Sequence, residues 1–144
     1  MTASSTRFGR SAVDNARLLL DAFAPLDDWD LKYGLLIDMG RELSAAPEIQ
    51  TAENQVHGCQ SQVWLTHRKE DDRFTFTGDS DAFISRGLVA LVTRLYSGLT
   101  REEILAFDFA GFLAELGLNT RLSMGRSRGL EAMVGRVRQI AAQG

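Results

Sequence analysis

Cys59 is the only cysteine in the 144-residue chain. The run Asn54-Gln55-Val56-His57-Gly58-Cys59-Gln60-Ser61-Gln62-Val63-Trp64 around it is where residue types and spacing point to chemistry. Gly58 opens backbone angles closed to other residues and removes a side chain beside the sulfur. The chain must turn there before a strand begins, so the spacing sets a thiol at a loop tip, where a reacting partner has access. Such a thiol acts as a nucleophile when it is exposed and its surroundings are electropositive. The competing reading is a small buried hydrophobe, the commoner fate of a free cysteine.

The neighbours leave several chemistries to weigh. His57 lies two residues before Cys59, and on a straight strand such positions share a face; a turn at Gly58 works against that contact. His57, Cys59 and His67 with an acidic fourth ligand would be a zinc set, but their spacing matches no standard pattern. A cysteine hydrolase needs a base, an orienting group and an oxyanion hole, and nothing in the sequence supplies the set. Asp79 and Asp81 flank Ser80 at an expected helix N-terminus, where carboxylates complement the dipole. A single cysteine excludes an intrachain disulfide, a Cys-rich zinc site and a self-contained iron–sulfur ligand set. It fits a reducing compartment.

The length suits one domain spanning residues 1–144, with residues 1–11 as a frayed, disordered tail. With 44% hydrophobic and 24% charged residues the composition is that of an ordinary globular protein. A net charge of −3 argues against a dedicated nucleic-acid binder, although Arg121, Arg126, Arg128, Arg136 and Arg138 cluster near the C-terminus. The stretch Met1–Arg7 lacks the apolar core of a signal peptide. No run approaches the roughly 20 apolar residues that span a bilayer. The expected location is the cytoplasm, with no membrane and no nucleic-acid partner.

The positioning elements are legible in outline. Helical spacing runs from Ala12 to Phe23, and again after Asp27 or Asp28, with Trp29, Tyr33, Leu36, Ile37 and Gly40 on one face. Ser44–Ala52 reads as a loop. Gln60–His67 and Phe74–Thr77, separated by Glu70-Asp71-Asp72 and closed by Gly78, predict a hairpin whose buried face carries Trp64, Phe74 and Phe76. A short strand around Gln55–His57 is expected to complete the sheet. Ser80 is expected to cap a helix reaching Tyr96, and Thr100 to Glu103 forms a capping-box pattern. Another helix opens at Asp108 or Phe109 and closes at Gly117, and a last one follows Ser127. Met124 and Met133 read as core filler. The fold class is α+β, a small three-stranded antiparallel sheet with helices packed on one face.

The run Gly58-Cys59-Gln60-Ser61-Gln62-Val63-Trp64 resembles the signature of the SufE-type sulfur acceptors. The resemblance continues through Gly78-Asp79-Ser80-Asp81-Ala82, Arg86 to Leu91, Leu95 to Gly98, and Arg126-Ser127-Arg128-Gly129-Leu130-Glu131-Ala132-Met133. Upstream, Trp29 to Gly40 matches the family's aromatic-rich second helix. The resemblance implies a carrier, not a self-sufficient enzyme. A pyridoxal-phosphate cysteine desulfurase (SufS- or CsdA-like) holds sulfur as a persulfide, which Cys59 accepts. The sulfur then passes to an iron–sulfur scaffold of the SufB type, and unloading stimulates the desulfurase. The family shares its fold with NifU-type cluster scaffolds, but those hold iron with several cysteines, and one cysteine cannot. No cofactor or metal is implied for this chain. A CsdE-type acceptor serving another sulfur pathway and a noncatalytic desulfurase regulator stand as alternatives.

Around Cys59, Gly58, Gln60 and His57 are the expected loop support, although the His57 position need not be functional in the family. Arg126 aligns with an arginine that follows a Leu-Ser/Thr-Pro-Ser run in the family. Met124 and Gly125 replace that Pro and Ser here, leaving Arg126 as a candidate thiolate or persulfide stabiliser or partner contact. Lowering a thiol pKa from ~8.5 to about 7 gains roughly fifteenfold in thiolate and loses about fivefold in nucleophilicity. Docking geometry is therefore expected to dominate, with a modestly shifted Cys59 pKa and a loop that shelters the unloaded thiol.

Overall fold

A computed structural model describes residues 11–43 and 47–144. Six α-helices are found among them: α1 (Ala12–Phe23), α2 (Trp29–Arg41), α3 (Phe83–Tyr96), α4 (Arg101–Ala106), α5 (Phe109–Leu116) and α6 (Met124–Gln143). Strands β1 (Val63–Glu70), β2 (Arg73–Ser80) and β3 (Leu99–Thr100) form one antiparallel sheet in the order β1-β2-β3. Single 3-10 turns occupy Pro47–Ile49, Ala52–Asn54 and Leu118–Thr120. Of the tail expected over residues 1–11, residues 1–10 lie outside the described residues. Ser11 caps α1, accepting from the Asp14 N–H while the Asp14 carboxylate accepts from Ser11 N–H.

The α+β class and three-stranded sheet hold, but the third strand is not the expected one. Gln55 makes only an isolated bridge to Trp64. The sheet is completed by β3, where Leu99 and Thr100 pair with Phe74 and Arg73. In β1 and β2 the register runs from Val63↔Ser80 to Glu70↔Arg73. The turn at Asp71 takes a φ of +58°, an angle that Asp tolerates better than most residues. Gln60–Gln62 stays in the loop, and β2 extends past Gly78 to Ser80.

That register puts Val63, Leu65, Phe74 and Phe76 on the face shared with the helical core. Trp64, opposite Asp79, faces the other way, so it does not line the same face as Phe74 and Phe76. α3 is the central helix, with Leu88, Val89, Ala90, Leu91 and Val92 all buried. Each fully buried Leu or Val side chain among them contributes about 1.5–3 kcal/mol. α2 crosses α3 at very close range: a Cβ on Gly87 would stand 2.3 Å from the Leu36 carbonyl oxygen, and one on Gly40 2.7 Å from Gly87 N.

Capping explains most helix ends. Asp28, Thr100 and Asp108 each accept from the N–H three residues on, and Gly117 ends α5 with φ +80°. Two expected starts are corrected. Ser80 belongs to β2, and α3 starts at Phe83 after Ala82, which makes no side-chain cap. The last helix begins at Met124, capped by Ser123 rather than Ser127, so Arg126 sits inside its first turn.

Candidate functional site

Residues 57–62 form a loop closed at its base by Val56 N–H donating to Val63 O at 2.8 Å and by the Gln55–Trp64 bridge. Gly58 turns the chain with φ +96°, a conformation that side chains disfavour, and Cys59 follows at the tip. The downstream arm is held by the end of β2. Ser80 Oγ donates to Gln62 O at 2.7 Å, and Gln62 N–H donates to Asp81 Oδ1 at 3.0 Å. Ser85 Oγ, from α3, donates to Ser61 Oγ at 3.1 Å. The upstream arm is held from α6: Arg136 Nη1 donates to Gln55 O at 3.2 Å and Nη2 to Glu53 O at 2.6 Å.

The β2 end that grips Gln62 is itself fixed. The buried Asp79 carboxylate accepts from Ser80 N–H at 2.8 Å and from Gln50 Nε2 at 3.1 Å. Arg86 Nε stands 3.1 Å from Asp79 Oδ1, an ion pair off the hydrogen-bonding line, and Arg86 Nη2 donates to Leu43 O at 3.0 Å. Asp79 thus lies inside β2 and not at a helix N-terminus, whereas Asp81 immediately precedes Ala82, the N-cap of α3. One anchors β2 and the other clamps the loop.

Cys59 rests against α6. Its thiol is half-buried and donates to the Gly129 carbonyl oxygen, with Sγ and O 3.5 Å apart. The loop fits because α6 presents small residues there. A Cβ on Gly129 would lie 3.4 Å from Sγ, one on Gly125 would lie 2.6 Å from Gln60 Oε1, and Gly58 faces Ala132. Burial pushes the Cys59 pKa up from its ordinary value, because a desolvated thiolate is disfavoured. The carbonyl acts in the same direction, since an oxygen lone pair attracts S–H and repels S⁻. At rest the group is therefore a thiol. The shift is upward, opposite to the lowering that would raise the thiolate fraction.

The remaining sequence candidates separate. His57 is exposed on the loop, and Gln60 is exposed with its amide over Gly125. Arg126 is half-buried in the first turn of α6, its N–H donating to Ser123 Oγ. His67 lies along β1 beside the Phe74 and Phe76 rings. No group of three or more His, Cys, Asp or Glu placed to hold a metal occurs among the described residues.

Met124 is exposed instead of filling the core, whereas Met133 is buried. Trp29 and Tyr33 pack with their rings tilted at 51° and 5.6 Å apart at the edge of the helical layer, with Arg121 over the Trp29 ring. Arg136 and Arg138 donate to backbone carbonyls and are not simply solvated. Sequence reasoning missed Arg136, Ser80, Asp81 and Gly129 as loop holders. The spacing of Gly125, Gly129 and Ala132 at i, i+4 and i+7 on one helix is the signal that would have found the α6 contact.

A groove of about 850 Å³ lies elsewhere, between α1 and the α4–α5 segment, walled by Val13, Leu20, Phe23, Phe107 and Phe112. None of its walls belongs to the Cys59 loop. No helix among the described residues is long and apolar enough to cross a membrane.

Comparisons with known proteins bear on this loop. The sequence profile of the SufE family, described as an Fe-S metabolism associated domain, matches residues 17–141. An uncharacterized SufE-like protein of Rhizobium meliloti is 43% identical over 128 residues, which covers 85% of this chain and 91% of that protein. A second uncharacterized SufE-like protein, from Rhizobium etli, is 46% identical over 128 residues, 85% of this chain and 86% of its own. Among solved structures, the solution structure of a hypothetical protein from Thermus thermophilus matches with a TM-score of 0.73. It covers 90% of this chain and 94% of its own at 20% identity, a likeness of fold.

Proposed function

This chain belongs to the SufE family of Fe-S metabolism associated domains, and on that premise we propose that it carries sulfur on Cys59. The donor is a pyridoxal-phosphate cysteine desulfurase of the SufS or CsdA kind, working in the cytoplasm, and the receiver is a cluster scaffold of the SufB type. The chain works as one domain and is an accessory protein whose unloading of the donor stimulates desulfurase turnover.

The transfer balances without a redox agent. Cys59 Sγ loses its proton to solvent and attacks the outer sulfur of the donor's persulfide. The donor's S–S bond breaks, its electron pair stays on the donor cysteine, which takes up a proton, and a new S–S bond forms on Cys59. Arg126 stabilises the anionic persulfide or contacts the donor. Gly58 provides the turn, while Gln60 and His57 belong to the moving loop.

The observation that carries this reading is the lone thiol at the tip of a braced turn, half-covered and donating to Gly129 O. A purely structural cysteine would be expected inside the core, away from a turn. The test is intact mass after incubation with a cysteine desulfurase and free cysteine. The expected product is one reducible added sulfur atom on the wild type and none on Cys59→Ser. Full stimulation of the desulfurase by Cys59→Ser would point to a noncatalytic regulator and end the carrier reading.

A further inference from the structure

The two most exposed large apolar side chains among the described residues are Phe83, 72% exposed, and Met124, 69% exposed. Both flank the Cys59 loop. Phe83 opens α3 between Asp81 and Ser85, which bond to Gln62 and Ser61. Met124 opens α6 next to Gly125, which lies under the Gln60 amide. Neither side chain is needed to fill the core, and each lies next to a residue that touches the 60–62 arm of the Cys59 loop. Arg126 and Arg128 lie on either side of the Gly125–Gly129–Ala132 stripe, following the helical repeat. Among the described residues neither is in an ion pair. The α6 edge of this end thus presents two cations next to Met124, while the exposed Asp81 carboxylate stands next to Phe83.

We propose that Phe83 and Met124 are the apolar anchors by which the sulfur-donating desulfurase docks over Cys59. The donor face would carry apolar depressions and an acidic rim beside its persulfide cysteine. This inference rests on the carrier reading and adds to it the residues that set affinity. Interfaces concentrate their affinity in a few buried apolar or aromatic anchors, with charged residues at the rim. The sulfurs must also be held about 3–3.5 Å apart for transfer, so anchors on both sides of the loop fix its approach.

The test measures persulfide loading of Cys59 by intact mass against carrier concentration, with a cysteine desulfurase and free cysteine. Wild type, F83S, M124S, F83S/M124S and R128E are compared after circular dichroism has confirmed their fold. The half-saturating carrier concentration is expected to rise about tenfold in each apolar single variant and further in the double. R128E is expected to raise it as well. Loading at saturating carrier should stay complete throughout. Wild-type half-saturation in the double variant overturns the docking assignment and leaves the carrier reading standing. No loading of the wild type overturns both. Sedimentation is run alongside: a wild-type dimer lost in F83S/M124S would assign the patch to a second copy of this chain and overturn the proposal.

Discussion

Arg136→Ala isolates the brace on the upstream arm of the Cys59 loop. The guanidinium donates to Gln55 O at 3.2 Å and to Glu53 O at 2.6 Å. A hydrogen bond from a charged donor contributes about 1.5–3 kcal/mol. Solvent exposure at Glu53 and the rotamer entropy regained on truncation reduce that, leaving about 1.4 kcal/mol for the pair. The loss falls on the loop base, since Gln55 leads directly into Val56, whose N–H donates to Val63 O. On α6 the core residues Met133, Val134 and Val137 are untouched. A change of about 1.4 kcal/mol is tenfold in an opening equilibrium.

Amide hydrogen exchange followed by NMR should therefore quicken about tenfold at Val56 and little at Leu91 in the centre of α3. Alkylation of Cys59 should rise with it, up to the ceiling set by a thiol already half-exposed at rest. Arg136→Lys, which loses the planar fork but keeps the charge, should fall between the two. Val56 exchange within twofold of wild type would refute the brace. So would Val56 and Leu91 accelerating in parallel, which would mean that the whole fold had weakened.

Three further outcomes follow from the geometry. Burial favours the neutral Cys59 thiol, so the closed loop keeps its stability below the ordinary pKa and loses it as pH rises through the higher native value. Native alkylation should then show a midpoint above that of the denatured chain, and a native midpoint below the denatured one would contradict the site. Gly87→Ala would drive a methyl to 2.3 Å from the Leu36 carbonyl oxygen, costing at least ~2 kcal/mol in urea unfolding; a loss under half of that would deny the close α2–α3 crossing. The buried Tyr96 hydroxyl finds no partner among the described residues, and burial pushes its pKa up, so Tyr96→Phe should be neutral or stabilise by about 1 kcal/mol. A clear destabilisation would show an unseen partner.

What the sequence carried and what it withheld follow one physical division. The box at Thr100 and Glu103, the caps at Asp28 and Asp108, and the left-handed stop at Gly117 are satisfied within three or four residues. Their signals are local and legible. β3 has two residues and exists only because Phe74 and Arg73 lie alongside it, so no run of β-formers marked it. Ser80 looks like a helix cap in isolation, yet its hydroxyl is taken by Gln62 O eighteen positions back. Trp64 is apolar like Phe74 and Phe76, and only the register shows that it faces the other way. At the site, Cys59 and its turn were legible from Gly58. The shelter under Gly129, seventy residues on, was not.

The resting thiol bears on how sulfur transfer can work at all. Burial pushes the Cys59 pKa up, so the resting group is held as the neutral thiol and, on the carrier reading, this chain does not by itself activate its nucleophile. On the carrier reading, the rate must come from a donor that holds two sulfurs in line, where effective molarity supplies several kcal/mol. Docking that draws Cys59 off Gly129 would remove both the carbonyl that favours the proton and part of the burial. Approach and ionisation then become one event. On the same reading, this contact would distinguish an empty carrier from a loaded one. A persulfide Sγ has no proton for Gly129 O, and its more acidic outer sulfur adds charge to a half-buried place that disfavours it. The Cys59–Gly129 bond thus holds only the form with nothing to deliver.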